Sequence, residues 1–293
     1  MSIQNVNKEL IDEFIFQLNK AENTRKSYQR DLDIMNRYLS SVGISMDSLT
    51  QPTVQMFITG LEDGLIKNTE GKRYSASSIN RIFAAIRVFC DYTNQRDCIR
   101  DIKINKTPHI SQQSPKSIEV EDVESIRLKV ANSRKASAQR DLAIVDMLYL
   151  TGMRVSELVE LRRDEIVYDK HDKVYLVHIN KSKGDKARIV PIQKEKYNYI
   201  KRYLDSRNDN VEYAFINQRQ GKLTTRSIQL LLQEYGITPH QLRHTFSTRL
   251  ARSSNDLSMI ASLAGHSIAV AQRYTVPTQK QKAEAIAKAF TLD

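Results

Sequence analysis

Apolar residues over the first hundred positions recur at the three- and four-residue spacing of amphipathic helices. In NKELIDEFIFQL, Leu10, Phe14 and Leu18 share a face. In TRKSYQRDLDIMNRYLS, Tyr28, Leu32, Met35 and Leu39 do the same, with Thr24 placed as an N-cap. SASSINRIFAAIRVFCDY repeats the scheme through Ile79, Phe83, Ile86 and either Phe89 or Cys90, and LTQPTVQMFITGL reads as a shorter helix opened by Thr50 and Pro52. The pattern lapses in NKTPHISQQSPKS, where two prolines among polar residues predict an extended linker.

Beyond Ile118 the pattern is mixed. RDLAIVDMLYLTG is a strongly apolar helix that Gly152 can end in a left-handed conformation, and VSELVELRRDEI restarts a helix. KVYLVHINKSKGDKARIVPI changes to strand character: Val174, Leu176 and Ile179 are assigned to one side, RIVPI forms the partner strand, and Gly184-Asp185 is the two-residue hairpin turn. Helices resume from about position 194. The expectation is a mainly α protein with a small antiparallel sheet: an all-α block over 1–104, a linker over 105–117, and an α+β block over 118–293.

Charge adds a partner. Lys plus Arg outnumber Asp plus Glu by 45 to 34, a net +11 that favours a polyanion, nucleic acid being the commonest. The polar faces of the first block carry Arg25, Lys26, Arg30, Arg81 and Arg87, which suit phosphate contacts but also suit a solvated surface. Cys90 and Cys98 are too few for a disulfide framework or a cysteine metal site and fit a reduced, cytoplasmic setting. The start MSIQNVNKELIDEF lacks a signal pattern, and no apolar run approaches membrane-spanning length, so no membrane partner is expected.

Candidate chemistry centres on TPHQLRHTFSTRL. Thr238 and Pro239 read as N-cap and first helical residue, putting His240, Arg243, His244 and Ser247 on one side and Leu242, Phe246 and Leu250 on the adjoining buried stripe. His240 and His244 have the spacing of a zinc-binding helix, but Gln241 stands where a metalloprotease needs a glutamate, and Arg243 would sit beside the metal. An anion suits the free N–H groups, guanidinium and imidazole better. Three other stretches offer polar groups with ordinary explanations of their own. Arg154 in LTGMRVSEL can simply pair with Glu157. Lys183 in SKGDKARIVPI can be an exposed turn lysine. His266 and Tyr274 lie in LAGHSIAVAQRYT, and one tyrosine among 13 is weak evidence.

The set in this order, Arg154, Lys183, His240, Arg243, His266 and Tyr274, resembles the catalytic residues of the tyrosine recombinases, also called the phage integrase family. TGMRVSELVELR resembles the arginine box, KSKGDKARIVPI the hairpin lysine, TPHQLRHTFSTRL the histidine-x-x-arginine box, and LAGHSIAVAQRYT the glycine-histidine and tyrosine box. The helical block resembles the family's core-binding domain, a SAM-like bundle, and the whole is similar to the compact XerC/XerD-like type without an arm-binding domain. One departure is visible: Tyr274 follows His266 by 8 positions where the family usually has nine, and Val270 and Ala271 replace the usual threonine pair.

The resemblance implies site-specific DNA recombination through a covalent 3′-phosphotyrosine and a Holliday junction. Tyr274 would be the nucleophile, Arg154 and Arg243 would grip the non-bridging phosphate oxygens, and Lys183 would protonate the departing 5′-oxygen. His240 would accept the phenolic proton or bind the phosphate, His266 would bind the phosphate or fix the tyrosine, and Glu157 would orient Arg154. The partners implied are duplex DNA with an inverted-repeat site, clamped by two domains, and a homotetramer in the synaptic complex, to which the tail QKQKAEAIAKAF could contribute. No cofactor is expected: the phosphotyrosyl bond preserves the phosphodiester's energy, and no GxxxxGK[ST] loop is present. Rival readings are a type IB topoisomerase, a DNA-binding protein that has lost catalysis, and a zinc hydrolase.

Overall fold

The structure is a computed structural model that describes residues 2–105, 117–180, 187–253 and 256–275. The chain divides into two compact units, Met1–Pro108 and His109–Asp293.

The first unit is built from α1 (Ile3–Gln17), α2 (Glu22–Ser41), α3 (Gln51–Glu62) and α4 (Ala76–Tyr92), followed by a 3-10 turn over Arg96–Ile99. The predicted apolar faces meet in one core that includes Phe14, Leu32, Met35, Leu39, Ile86 and Phe89, with Phe14 set edge-on to Phe89 at 5.4 Å. Both Phe89 and Cys90 are fully buried, and Cys90 and Cys98 are free thiols. Thr50 and Ser75 cap α3 and α4 as side-chain acceptors. Thr24, in contrast, is not an N-cap. The helix α2 begins at Glu22, whose carboxylate suits the first turn, and the Thr24 N–H already donates to the Ala21 carbonyl at 2.9 Å.

The second unit packs α5 (Val120–Ala131), α6 (Ala138–Thr151), α7 (Val155–Glu160), α8 (Asn198–Asp205), α9 (Thr225–Glu234), α10 (Pro239–Ser253), α11 (Leu257–Ala264) and α12 (Ile268–Ala271) around a three-stranded antiparallel sheet. The strands are β1 (Ile166–Asp169), β2 (Val174–Ile179) and β3 (Arg188–Gln193), in the order β1-β2-β3. The helix α6 is the centre of the unit: Leu142 to Leu148 are buried all round it, and α5, α8 and α10 pack against it. Its Asp146 is fully buried and is satisfied by Arg127 through two hydrogen bonds of 2.6 and 3.1 Å.

Two expectations are corrected here. In β2 the buried residues are Val177 and Ile179, while Val174 and Leu176 face the other way, because side chains an odd number apart on a strand cannot share a face. The stretch VSELVELRRDEI does not run on as one helix: α7 stops at Glu160, a 3-10 turn covers Arg163–Glu165, and Ile166 enters β1. Tertiary backbone bonds decide this, since the Leu161 carbonyl accepts from the Ala214 N–H at 2.7 Å and the Arg163 N–H donates to the Glu212 carbonyl at 2.9 Å. The register pairs Ile179 with Arg188 across β2 and β3. The turn between them, with Lys183 and Gly184-Asp185, lies outside the described residues, as does the tail QKQKAEAIAKAF. Among the described residues, no helix is long and apolar enough to cross a membrane.

Candidate active site

The site forms where α6, α7, β3, α10 and the α11–α12 turn meet. Gly152 ends α6 at φ +58°, as the pattern predicts, and a Cβ there would lie 2.2 Å from the Phe246 ring. The sharp exit makes Arg154 the N-cap of α7. Glu157 completes the cap by accepting from the Arg154 N–H at 2.7 Å and from its guanidinium at 3.2 Å. The pairing expected of Arg154 and Glu157 is therefore present, but Glu157 is nearly fully buried and serves a second arginine. Arg188, the first residue of β3, donates Nη1 to Glu157 Oε1 at 3.0 Å and Nη2 to Oε2 at 2.7 Å, while its Nε donates to the Leu263 carbonyl at 3.1 Å. These contacts hold the Glu157 carboxyl below the usual carboxylate range despite its burial.

Arg188 also explains Gly265. That residue closes α11 at φ +65°, and a Cβ on it would come within 2.6 Å of Arg188 Nη1. One arginine thereby joins β3, α7 and the turn that carries His266.

Thr238 and Gln241 cap α10 reciprocally: the Gln241 side-chain oxygen accepts from the Thr238 N–H at 2.9 Å, and the Thr238 hydroxyl accepts from the Gln241 N–H at 3.3 Å. Along this helix Arg243 is buried and donates to the carbonyls of Gly152 and Ala264, so it ties the end of α6 to the end of α11. Burial, with Arg154 and Arg188 close by, brings the Arg243 guanidinium down to about 10. The local charge is thus three guanidiniums against the one carboxylate of Glu157.

Tyr274 enters from a 3-10 turn, Gln272–Tyr274, that directly follows the short α12. The spacing of 8 positions from His266 still brings its ring into this site, stacked on His266 at 5.5 Å and 14°. Its hydroxyl meets His244 Nδ1 at 2.8 Å and is flanked by the fully buried Ser247. Burial raises the phenol, and Ser247, Arg243 and Arg273 oppose that rise. Burial and the nearby Arg243 push His266 down to about 4. Its buried ring nitrogens make no well-formed hydrogen bond among the described residues, the Ser267 backbone being the group that comes near.

His240 is exposed in the first turn of α10, its ring 6.5 Å from that of His244. Among the described residues, no group of three or more His, Cys, Asp or Glu is placed to hold a metal ion. A groove of about 850 Å³ opens beside the cluster, lined by Arg154, Ala187, Gly265, His266 and Ser267. Of the expected set, Arg154, Arg243, His266 and Tyr274 converge, His240 lies at the edge, and Lys183 falls outside the described residues. Arg188 and His244 were not among the expected reacting groups. His244 shares the α10 side that already pointed to Arg243. Arg188 shares the buried face of β3 with Val190 and Ile192, where a charge needs a partner.

In the first unit the basic residues separate. Arg30 and Arg81 line one groove with Arg37 and Tyr74, whereas Arg25, Lys26 and Arg87 do not line it. Arg81 is held by the buried Asp31 and by Ser27 at 3.0 Å, and Lys26 pairs with Glu22 at 2.5 Å.

Residues 116–281 match the phage integrase family, and residues 9–97 match the phage integrase N-terminal SAM-like domain. Tyrosine recombinase XerA of Pyrococcus horikoshii is 31% identical, over 98% of this chain and 96% of its own. Tyrosine recombinase XerD of Lacticaseibacillus casei is 30% identical, over 91% and 93%. Among solved structures, XerH site-specific recombinase bound to palindromic difH substrate in a post-cleavage complex superposes with a TM-score of 0.73. It is 17% identical and covers 97% of this chain and 95% of its own, a likeness of fold.

Proposed function

The chain belongs to the phage integrase family, the tyrosine recombinases, and on that premise we propose that Tyr274 attacks a backbone phosphate of duplex DNA to form a covalent 3′-phosphotyrosine. The observation that carries this reading is the Tyr274 hydroxyl bonded to His244, the residue next to the buried Arg243, in a site that also holds the buried Arg188 and the half-buried Arg154. Arg154, Arg188 and Arg243 outnumber Glu157, so the cluster carries excess positive charge that an entering phosphodiester relieves. Arg154 and Arg243 bind the non-bridging oxygens and stabilise the charge that builds up on the five-coordinate phosphorus. The groove beside Arg154 and His266 admits the sugar-phosphate strand.

His266 sets the plane of the attacking ring and donates toward the phosphate, and exposed His240 contacts the phosphate from the first turn of α10. Lys183 protonates the departing 5′-oxygen. A 5′-hydroxyl from a second strand reverses the step and rejoins the DNA, through a Holliday junction held by four copies of the chain. The first unit adds phosphate contacts on one half of an inverted-repeat site through Arg25, Lys26, Arg30, Arg81 and Arg87, and the protein works in the cytoplasm.

The test uses a pool of short nicked duplexes of randomised sequence. An adduct that survives denaturant is expected, and sequencing its DNA yields the site. Two copies of that site on one plasmid then give recombinants. Plasmid relaxation without a paired site and without recombinants would instead make the protein a topoisomerase.

A further inference from the structure

We propose that His244 is the group that takes the phenolic proton from Tyr274 as it attacks phosphorus, an inference that rests on the reading of Tyr274 as nucleophile. Three imidazoles stand near the tyrosine, and geometry separates them. His244 Nδ1 is 2.8 Å from the Tyr274 hydroxyl. His266 lies nearly parallel to the phenol ring, at 14°, so it covers the face of the ring and does not lie along its O–H bond. His240 is exposed one turn away. The remaining neighbour of the hydroxyl, Ser247, has no basicity to offer at neutral pH.

The groups that face His244 keep it an acceptor. They are His240 and Arg243 on its own helix, and Arg273 and Tyr274 on the segment packed against it. Burial, with His240, Arg273 and Arg243 close by, lowers its proton affinity and so favours a neutral imidazole, and the proposed step uses the tautomer with the proton on Nε2, in which Nδ1 accepts from the phenol. A phosphodiester bound at the arginine cluster reverses that bias, because its negative charge favours an imidazolium beside it. Proton removal from Tyr274 is in this way coupled to substrate binding, and the free enzyme keeps its nucleophile protonated.

The step balances. The Tyr274 O–H bond breaks and an Nδ1–H bond forms on His244. The phenolic oxygen bonds to phosphorus, the bond to the 5′-oxygen breaks, and that oxygen takes its proton from Lys183. On rejoining, a 5′-hydroxyl gives its proton back to Lys183 as its oxygen bonds to phosphorus, the bond from phosphorus to the tyrosine oxygen breaks, and His244 returns the proton to the departing phenolate.

The experiment measures adduct formation on nicked duplexes that the wild-type protein traps, prepared with either the natural 5′-oxygen or a bridging 5′-sulfur at the scissile position. Sulfur leaves without a proton and isolates the tyrosine step. For His244→Gln, the expected result is unchanged DNA affinity and adduct formation slowed by at least about 100-fold on both substrates. Its rate should also climb with pH above 8, where the wild-type rate is flat. In His244→Ala, added imidazole restores the rate, which a packing role would not allow, and this arm serves if the glutamine variant does not fold. A wild-type rate in His244→Gln, or a defect that the sulfur substrate cures, overturns the proposal. A wild-type protein that forms no adduct overturns the Tyr274 reading itself, and that outcome is distinct because it precedes any variant.

Discussion

Arg188 and Glu157 form a buried two-pronged ion pair that fastens β3 to α7 at the point where Arg154 begins the helix. Both side chains are shielded from solvent, at 3% and 2% exposure, so the pair cannot be replaced by water when one member is removed. Arg188→Gln leaves the Glu157 charge buried with its strongest partner lost, a change expected to cost about 3–5 kcal/mol. Thermal unfolding should show a marked drop for this variant, and the double variant Arg188→Gln, Glu157→Gln should recover part of it. An unchanged midpoint in the single variant would contradict the role assigned to the pair.

Gly152 has two constraints that alanine violates together. Its left-handed conformation costs roughly 1–2 kcal/mol in any residue with a Cβ, and the added carbon would lie 2.2 Å from the Phe246 ring. Its carbonyl also receives Arg243. Gly152→Ala is therefore expected to lose stability beyond the conformational cost and to slow adduct formation as Arg243 shifts. Equal slowing in Phe246→Leu, which leaves the carbonyl in place, would argue against the link through Arg243.

Acid should destabilise the second unit before its carboxylates titrate. His266 falls to about 4 in the folded protein, and His244 is also lowered. For a group whose folded value lies below its unfolded value near 6.5, the unfolded chain takes up the proton first, so stability falls as pH drops through that value. Denaturant midpoints taken from pH 7.5 to 5 should decline, and His266→Phe should flatten the slope. A midpoint that rises on acidification in this window would contradict the assigned directions.

Metal removal should leave the reaction untouched. The two histidines of α10 have a zinc-like spacing in the sequence, but His244 Nδ1 is committed to Tyr274. EDTA or a zinc chelator is expected to leave adduct formation unchanged, and loss of activity restored by zinc would revive the hydrolase reading.

Local patterns carried much of the fold. Helical periodicity located α1 to α4, and Gly152 marked a left-handed helix end that the structure contains. What escaped depends on partners distant in sequence. The segment after Glu160 reads as a continuing helix, yet the Leu161 and Arg163 backbones bond instead to the chain near Ala214 and Glu212. The face of β2 was misassigned because Val174 and Leu176 are apolar on its less buried side. Thr24 looked like a cap because its residue type suits one, although Glu22 two positions earlier opens the helix.

The candidate site shows the same division. Arg154, Arg243, His266 and Tyr274 were chosen by motif, and the structure places them together. Arg188 was invisible as a partner of Glu157, from which it is 31 positions away. His244 was weighed only as a zinc ligand with His240 and as a member of the Arg243 side of the helix, since nothing local indicates that a tyrosine 30 positions later folds back onto it.

The central claim is that Tyr274 is the residue joined to DNA. The direct measurement is to digest the trapped protein–DNA adduct with protease and locate the nucleotide-bearing residue by mass spectrometry, alongside Tyr274→Phe. The account predicts a single 3′-phosphoryl link on Tyr274, and no adduct from Tyr274→Phe although that variant still binds the DNA. Attachment at any other residue, or an adduct that persists in Tyr274→Phe, would contradict it.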